Sequence, residues 1–331
     1  MNEAAKIIKE SKDILIMAHK NPDGDAIGSV LGLGIALNIP GKTITCFSQD
    51  PVPKVFGFLP ELSMIKNSIE PKEYDLIVLL DCDNLNRTGI KESGKVFEGY
   101  KKLLIIDHHP RSENNECIGN CHKVIDPTAS STAVMIYCLL KELKIEITKD
   151  IANCIFTGIF ADTGSFQHSN TDEKTLKVAA ELMKKGARSE KIAKQIFKNR
   201  TMPAIKLWGK ALSRIETDKE TGMAVSYLSK KDLEENNVSQ EELSGLVSTI
   251  NTISDSKFSL FLTEYGENKL KGSLRSEEYK GIDVSRIAKS LGGGGHKLAS
   301  GFEMDGQIKE SIEKITKMIL ETKKDPIANN Q

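Results

Sequence analysis

The sequence predicts an α/β protein: an N-terminal domain with a mostly parallel sheet flanked by helices, a helical connector, and a smaller C-terminal α+β domain with a mixed sheet. Three observations carry this expectation. Over the first ~185 residues, short apolar runs alternate with helical patterns, as in a parallel sheet covered on both faces. The runs Ile14–Met17, Leu76–Leu80 and Leu103–Ile106 are apolar at every position, which marks strands buried on both sides. Beyond about residue 204 helices and strands follow a different order, typical of an α+β unit.

Taken in order, Asp25–Asn38 is the first crossover helix and Thr43–Phe47 the next strand. Ser131–Leu143 places Val134, Met135, Tyr137, Cys138 and Leu140 at helical spacing, and Asp150–Phe160 repeats the pattern. Thr171–Lys185 opens on a Thr-Asp-Glu capping signal and stops at Gly186, and Ser189–Asn199 is a further helix. After it come a helix, a strand at Met223–Leu228, a helix at Glu241–Ile253, and strands at Phe258–Tyr265 and Lys269–Ser276. A helix at Val284–Leu291, a glycine-rich loop, a strand near Ser300–Met304 and a last helix complete the chain. The expected division is 1–185 for the first domain, 186–203 for the connector, 204–323 for the second domain and 324–331 for a flexible tail.

A chain of 331 residues exceeds one ordinary core, in keeping with two domains. Lys plus Arg and Asp plus Glu both number 46, a balance that argues against a protein held on long duplex nucleic acid by overall charge. No stretch approaches a membrane span, and Met1–Lys12 is charged and amphipathic rather than a signal peptide, so a cytoplasmic location is expected. The six cysteines are too scattered for a secreted disulfide scaffold. Cys117-x-x-x-Cys121-His122 lacks the second ligand pair of a closed zinc site.

The chemistry gathers where the apolar runs stop. Four stretches do this: His19-Lys20-Asn21-Pro22-Asp23-Gly24-Asp25, Asp81-Cys82-Asp83-Asn84, Asp107-His108-His109 and Ala161-Asp162-Thr163-Gly164. In open α/β sheets the carboxyl edge of the strands is where ligands bind. Asp23 and Asp25 flank Gly24, so in an extended turn both carboxylates face one cavity with His19 behind them, and their repulsion asks for cations. A lone Asp-x-Asp is more often a solvated turn, but the recurrence at Asp81, His108 and Asp162 weakens that reading. Mixed imidazole and carboxylate ligands suit two manganese ions, with magnesium (Mg2+) as a substitute for Mn2+. Such a pair favours hydrolysis of a phosphate ester.

These motifs make the sequence resemble the DHH phosphoesterase superfamily, named for the triplet that stands here as Asp107-His108-His109, over nearly the whole chain. The resemblance implies that His19, Asp23, Asp81 and Asp162 hold one manganese, and that Asp25, Asp81, His108 and Asp162 hold the other, with Asp81 and Asp162 bridging. It also implies that Asp107 orients an imidazole and that His109 faces the substrate phosphate or acts near the leaving group. Asn21 and Asp83 support the shell, and Arg87 either touches phosphate or pairs with an acid.

In the second domain, Gly292-Gly293-Gly294-Gly295-His296 follows a predicted helix, and four glycines point to close backbone approach to a ligand. The loop resembles that of the DHHA1 domain. The resemblance implies that Arg275 and His296 grip a substrate phosphate while the loop amides cradle phosphate or ribose across an interdomain cleft. Lys269–Lys297 holds seven Lys/Arg against three Asp/Glu, an excess suited to a few phosphates rather than a long strand. One departure is Val134, where relatives often carry Glu.

Within that superfamily, the resemblance in length and two-domain layout implies a phosphoesterase that takes short single-stranded RNA to mononucleotides and 3′-phosphoadenosine 5′-phosphate (pAp) to AMP and phosphate. Its partners are those small nucleotides, with no long duplex and no membrane, and self-association as a homodimer is compatible with the sequence. The rival enzyme reading is a cyclic-di-AMP or pApA phosphodiesterase. The rival from another class is a nucleotide-binding regulator with a vestigial site, against which the complete acid and imidazole set speaks.

Overall fold

The computed structural model describes residues 1–69, 72–90, 101–109, 120–197, 200–295 and 297–324. The chain divides into two compact units, Met1–Asn199 and Arg200–Gln331.

The first unit is built on a six-stranded sheet of β1 (Asp13–Met17), β2 (Thr43–Phe47), β3 (Ile65–Lys66), β4 (Leu76–Leu80), β5 (Leu103–Asp107) and β6 (Cys121–Ile125). Its order is β3-β2-β1-β4-β5-β6, and every neighbouring pair is parallel. The unbroken apolar runs have a direct cause. Ile14 and Ile16, Val78 and Leu80, and Leu104 and Ile106 enter one core, while Leu15, Met17, Ile77, Leu79, Leu103 and Ile105 enter the core on the opposite face. Both sets of side chains are removed from water, so polar alternation would be costly in these strands. The half-buried edge strand β6, Cys121-His122-Lys123-Val124-Ile125, carries no such run and was not foreseen.

Helices α1 (Asn2–Glu10), α2 (Gly24–Leu37), α3 (Thr132–Leu143), α4 (Lys149–Asp162), α5 (Glu173–Lys184) and α6 (Ser189–Phe197) belong to this unit. All of α2 except Ile35 is buried, because it packs closely on α4. A Cβ on Gly28 would lie 2.5 Å from the Cys154 carbonyl oxygen and 2.9 Å from the Gly158 nitrogen, so only glycine allows this approach. Ile192 of α6 is buried in the first unit's core.

The strand order reverses between β1 and β4: β2 and β3 extend the sheet on one side, β5 and β6 on the other. The chain leaves the carboxyl ends of these two neighbours in opposite directions, which opens a crevice there.

The second unit carries a mixed sheet ordered β11-β12-β10-β9-β8-β7, comprising β7 (Glu216–Asp218), β8 (Met223–Leu228), β9 (Phe258–Gly266), β10 (Lys269–Arg275), β11 (Gly294–Gly295) and β12 (Ala299–Asp305). Only β8 and β9 pair in parallel. Helices α7 (Met202–Ser213), α8 (Lys230–Asn236) and α9 (Leu246–Ile250) cover one face, and α10 (Val284–Ser290) and α11 (Ile308–Lys324) the other. The helix expected over Glu241–Ile253 is broken: a 3-10 turn at Gln240–Leu243 precedes α9, with Gly245 between them at φ 89°. A left-handed residue cannot continue a right-handed helix, and glycine accepts that conformation without strain.

Among the described residues, no helix is long and apolar enough to cross a membrane.

A candidate metal centre at the switch point

The acids and imidazoles singled out in the first unit meet at the crevice. His19 lies just past β1, where its Nδ1 is 2.8 Å from the Lys20 carbonyl and its Nε2 is 3.4 Å from Asp81 Oδ2. His108 follows β5, with Nδ1 3.2 Å from the Ala129 carbonyl and Nε2 3.7 Å from Asp81 Oδ1 and 3.6 Å from Asp162 Oδ2. A carbonyl can only accept, so each Nδ1 carries a proton and each Nε2 is turned toward the acids.

Asp23 and Asp25 are not in an extended turn. Asp23 is the N-cap of α2, its Oδ1 accepting from the Asp25 and Ala26 amides at 2.9 and 3.1 Å. Asp25 sits in the first helical turn and is buried, and its carboxylate accepts from the Thr132 amide at 2.6 Å and the Ala133 amide at 2.9 Å. Those amides open α3, so one helix N-terminus stabilises an acid from the start of another. Ser29 Oγ also donates to Asp25 Oδ1 at 3.5 Å, so it is Oδ2 that retains a second lone pair.

Asp81 follows β4 in the left-handed region at φ 56°, and its amide donates to the Ile106 carbonyl at 3.0 Å. This turn is where a branched or bulky residue would be strained, while Asp is among the few that tolerate it. Asp162 is placed differently from the sequence expectation of a strand or loop end: it is the last residue of α4. A carboxylate there faces the negative end of the helix dipole, which a bound cation offsets.

Asp107 ends β5 fully buried, and its Oδ1 accepts from His109 Nδ1 at 2.6 Å and from the His109 amide at 3.1 Å. The imidazole that Asp107 orients is therefore that of His109, whose Nδ1 also lies 3.4 Å from Asp81 Oδ1.

Three donor sets each bring their ligand atoms within 4.8 Å of one another: His19, Asp23 and Asp81; Asp25, His108 and Asp162; and Asp81, His108 and His109. Electrostatics describe an overcrowded anionic site. Burial first, and then the neighbouring carboxylates Asp81, Asp162 and Asp23, push the Asp25 carboxyl well above its ordinary range. Burial likewise raises Asp162, helped by Asp23 and Asp81. Burial alone would lower the His19 imidazole, but its hydrogen bond to Asp81 and the charges of Asp23 and Asp81 outweigh that and raise it to about 9. His109 is raised against burial by Asp107 and Asp81, and burial lowers His108. Burial would raise Asp81, yet His19, His109 and His108 together hold it below the usual carboxylate range. Among the described residues this is a donor set of hard oxygens and imidazole nitrogens with excess negative charge, which fits divalent cations.

Two supporting residues escaped the sequence reading. Thr132 is fully buried and its Oγ1 donates to Asp81 Oδ1 at 3.1 Å. Asn170 Nδ2 donates to the Ser130 carbonyl at 2.9 Å and to the Asp162 carbonyl at 3.3 Å, tying the end of α4 to the start of α3. The only local signal was Ser131, whose Oγ caps α3 by accepting from the Val134 amide at 3.2 Å. Val134 itself is buried in the apolar core, which leaves no polar role at this position. Asp83 is buried and accepts from Asn84 Nδ2 at 2.8 Å, and Arg87 Nη1 lies 3.9 Å from it.

In the second unit, Arg275 ends β10 half-buried, donating from Nη1 to the Leu274 carbonyl at 2.9 Å. Burial lowers its pKa, and no ion pair to an acid is found for it among the described residues. The glycines divide by role. Gly292 has φ 78°, and a Cβ on Gly293 or Gly295 would stand 2.2 Å from the Gly301 oxygen or 2.7 Å from the Ala299 oxygen. A Cβ on Gly294 would meet nothing within 4 Å among the described residues beyond its chain neighbours. His296 and Cys117 lie outside the described residues.

Residues 13–159 match the DHH family, N-terminal domain, and residues 220–325 match the DHHA1 domain. A protein of Thermus thermophilus named bifunctional oligoribonuclease and PAP phosphatase NrnA is 31% identical over 325 residues, covering 97% of this chain and 94% of the relative. The Bacillus subtilis protein of the same name is 32% identical over 304 residues, covering 90% and 91%. The crystal structure of an exopolyphosphatase-related protein from Bacteroides fragilis superposes with a TM-score of 0.86 at 28% identity, over 97% of this chain and 95% of that one. With the acids and imidazoles gathered at the switch point, these likenesses lead to one conclusion: the chain belongs to the DHH phosphoesterase family and carries a DHHA1 domain.

Proposed function

We propose that the chain uses two manganese ions, with magnesium as substitute, to hydrolyse short single-stranded RNA to mononucleotides and pAp to AMP and phosphate. The reading places this activity in the cytoplasm. The relatives' names support the substrates. The observation that carries the chemistry is the posture of Asp81, whose Oδ2 faces His19 while its Oδ1 faces His108. One carboxylate between two donor sets is what a pair of ions a few ångströms apart requires.

In this reading His19, Asp23, Asp81 and Asp162 hold one ion and Asp25, Asp81, His108 and Asp162 the other. Such a pair, when bound, neutralises the carboxylates, acidifies water and stabilises the attacking and leaving oxygens of an in-line displacement at phosphorus. The water oxygen bonds to phosphorus as the water gives up a proton, the bond to the ester oxygen breaks, and that oxygen gains a proton in its place, so one water is consumed per bond cleaved. His109, fixed by Asp107, hydrogen-bonds the phosphoryl group near the leaving oxygen. Arg275, His296 and the amides of Gly292, Gly293, Gly294 and Gly295 hold the substrate's terminal phosphate, and Arg87 adds a cation beside Asp83.

The test is product-resolved turnover in manganese of pAp, RNA 3-mers, pApA and cyclic-di-AMP. Consumption of pAp and 3-mers, lost with chelator and in Asp81→Ala, is the expected result. Activity unchanged by Asp81→Ala sinks the mechanism, preference for the di-adenylates moves the enzyme to nucleotide signalling, and pAp binding without turnover makes it a regulator.

A further inference from the structure

Thr132 touches an acid of each proposed ion set with a different atom. Its backbone amide donates to Asp25 Oδ2 at 2.6 Å, and its hydroxyl donates to Asp81 Oδ1 at 3.1 Å. No other residue among those described is seen to donate to both carboxylates. The residue is fully buried at the first position of α3, so neither bond competes with solvent.

The two bonds constrain different things. The amide bond, doubled by that of Ala133, fixes where Asp25 lies and persists whatever side chain stands at 132. The hydroxyl bond acts on the rotation of the Asp81 carboxylate. Asp81 leaves β4 through a left-handed backbone, and its two oxygens face different imidazoles: Oδ2 is 3.4 Å from His19 Nε2, and Oδ1 is 3.7 Å from His108 Nε2. A terminal carboxylate torsion is broad and roughly two-fold, and the imidazoles of His19, His109 and His108 stand 3.4 to 3.7 Å away, so a shorter hydrogen bond to one oxygen is the tighter restraint on how the carboxylate turns. Thr132 Oγ1 supplies that restraint on the oxygen turned toward His108.

We propose that Thr132 is a positioning residue for the ion held by Asp25, Asp81, His108 and Asp162, acting through Asp81 Oδ1. The assignment rests on the two-ion reading above. It predicts an asymmetry: loss of the hydroxyl weakens that ion and spares the one beside His19, where Asp81 offers Oδ2.

Manganese binding to metal-free full-length protein, followed by the electron paramagnetic resonance of free Mn2+, tests this without turnover. Wild type is expected to bind in two steps. Thr132→Val, which keeps shape and both amide bonds, is expected to weaken one step about tenfold and leave the other in place, as supporting hydrogen bonds around metal ligands typically do. Thr132→Ser, retaining a hydroxyl, restores the weakened step. Two-step binding by Thr132→Val equal to wild type overturns the assignment alone, and so does equal weakening of both steps. Failure of wild type to take up two ions overturns it together with the two-ion reading. Should Thr132→Val fail to fold, Thr132→Ala is read against Thr132→Ser by the same criterion.

Discussion

Gly158 passes so near Asp25 that a Cβ on it would stand 2.9 Å from the carboxylate Oδ1, and 2.7 Å from the Ala133 Cβ. The backbone of α4 is thus one wall of the pocket in which Asp25 lies. Helix propensity alone would make Gly158→Ala favourable by ~1 kcal/mol. The crowding reverses the sign, and overpacking of ~1–3 kcal/mol is expected. Urea denaturation of Gly158→Ala should give a lower midpoint than wild type, with manganese uptake impaired as Asp25 is displaced. A midpoint at or above wild type would show that α2 and α4 separate more easily than their packing implies.

On the proposed reading, Asp107 and His109 serve the chemistry and not metal retention, and a variant can tell the two apart. Asp107→Asn keeps a side chain of the same shape but loses the charge that holds the His109 imidazole at 2.6 Å. Turnover of pAp is expected to fall by about 10- to 100-fold while both manganese ions are retained, measured as kcat beside metal content. Loss of metal in proportion to activity would place His109 among the ligands, as its nearness to Asp81 and His108 allows.

The metal-free site sets a pH dependence of definite sign. His19 is raised in the folded protein to about 9 from an ordinary value near 6.5. A raised imidazole adds stability that is fully present below the ordinary value and is lost as pH rises toward 9. His109 shifts in the same direction, and the raised carboxyls of Asp25 and Asp162 also make the folded state the better proton binder. Thermal melting in chelator should therefore fall between pH 6.5 and 9, with a shallower slope in His19→Gln. Manganese, which competes with those protons, should be bound more tightly over the same interval. A melting temperature rising through this window would contradict the charge balance described for the site.

The glycine loop yields a paired test. Gly293→Ala places a methyl group 2.2 Å from the Gly301 oxygen and is expected to destabilise the second unit, whereas Gly294→Ala meets nothing within 4 Å among the described residues beyond its chain neighbours. With a nucleotide lying against this loop, Gly294→Ala leaves melting unchanged and raises KM for pAp without a matching fall in kcat. An unchanged KM would move the substrate's phosphate away from residue 294.

What could be read from the sequence follows from how local each signal is. Ile14–Met17, Leu76–Leu80 and Leu103–Ile106 declared themselves because burial on both faces removes polar residues from consecutive positions. His19, Asp81 and His108 were legible because they stand within two residues of those strand ends, and the sheet alone brings the ends together. Thr132 was not, since its partner Asp81 lies 51 residues away and a buried threonine at a helix start has an ordinary structural reading. Asn170 depends in the same way on the distant Ser130. The break at Gly245 escaped because apolar spacing continues across it, and only the backbone torsion shows that the helix has ended.

Asp162 also says something about how such a protein holds on to its function. It closes α4 against the negative end of the helix dipole, and burial together with Asp23 and Asp81 pushes its carboxyl well above the ordinary range. Selection or design for thermal robustness alone is expected to replace this aspartate early, because the metal-free fold sheds an unfavourable charge with it. A library of such chains ranked only by melting temperature would therefore enrich inert proteins at the top, and a screen for this fold needs a chemical readout alongside a thermal one.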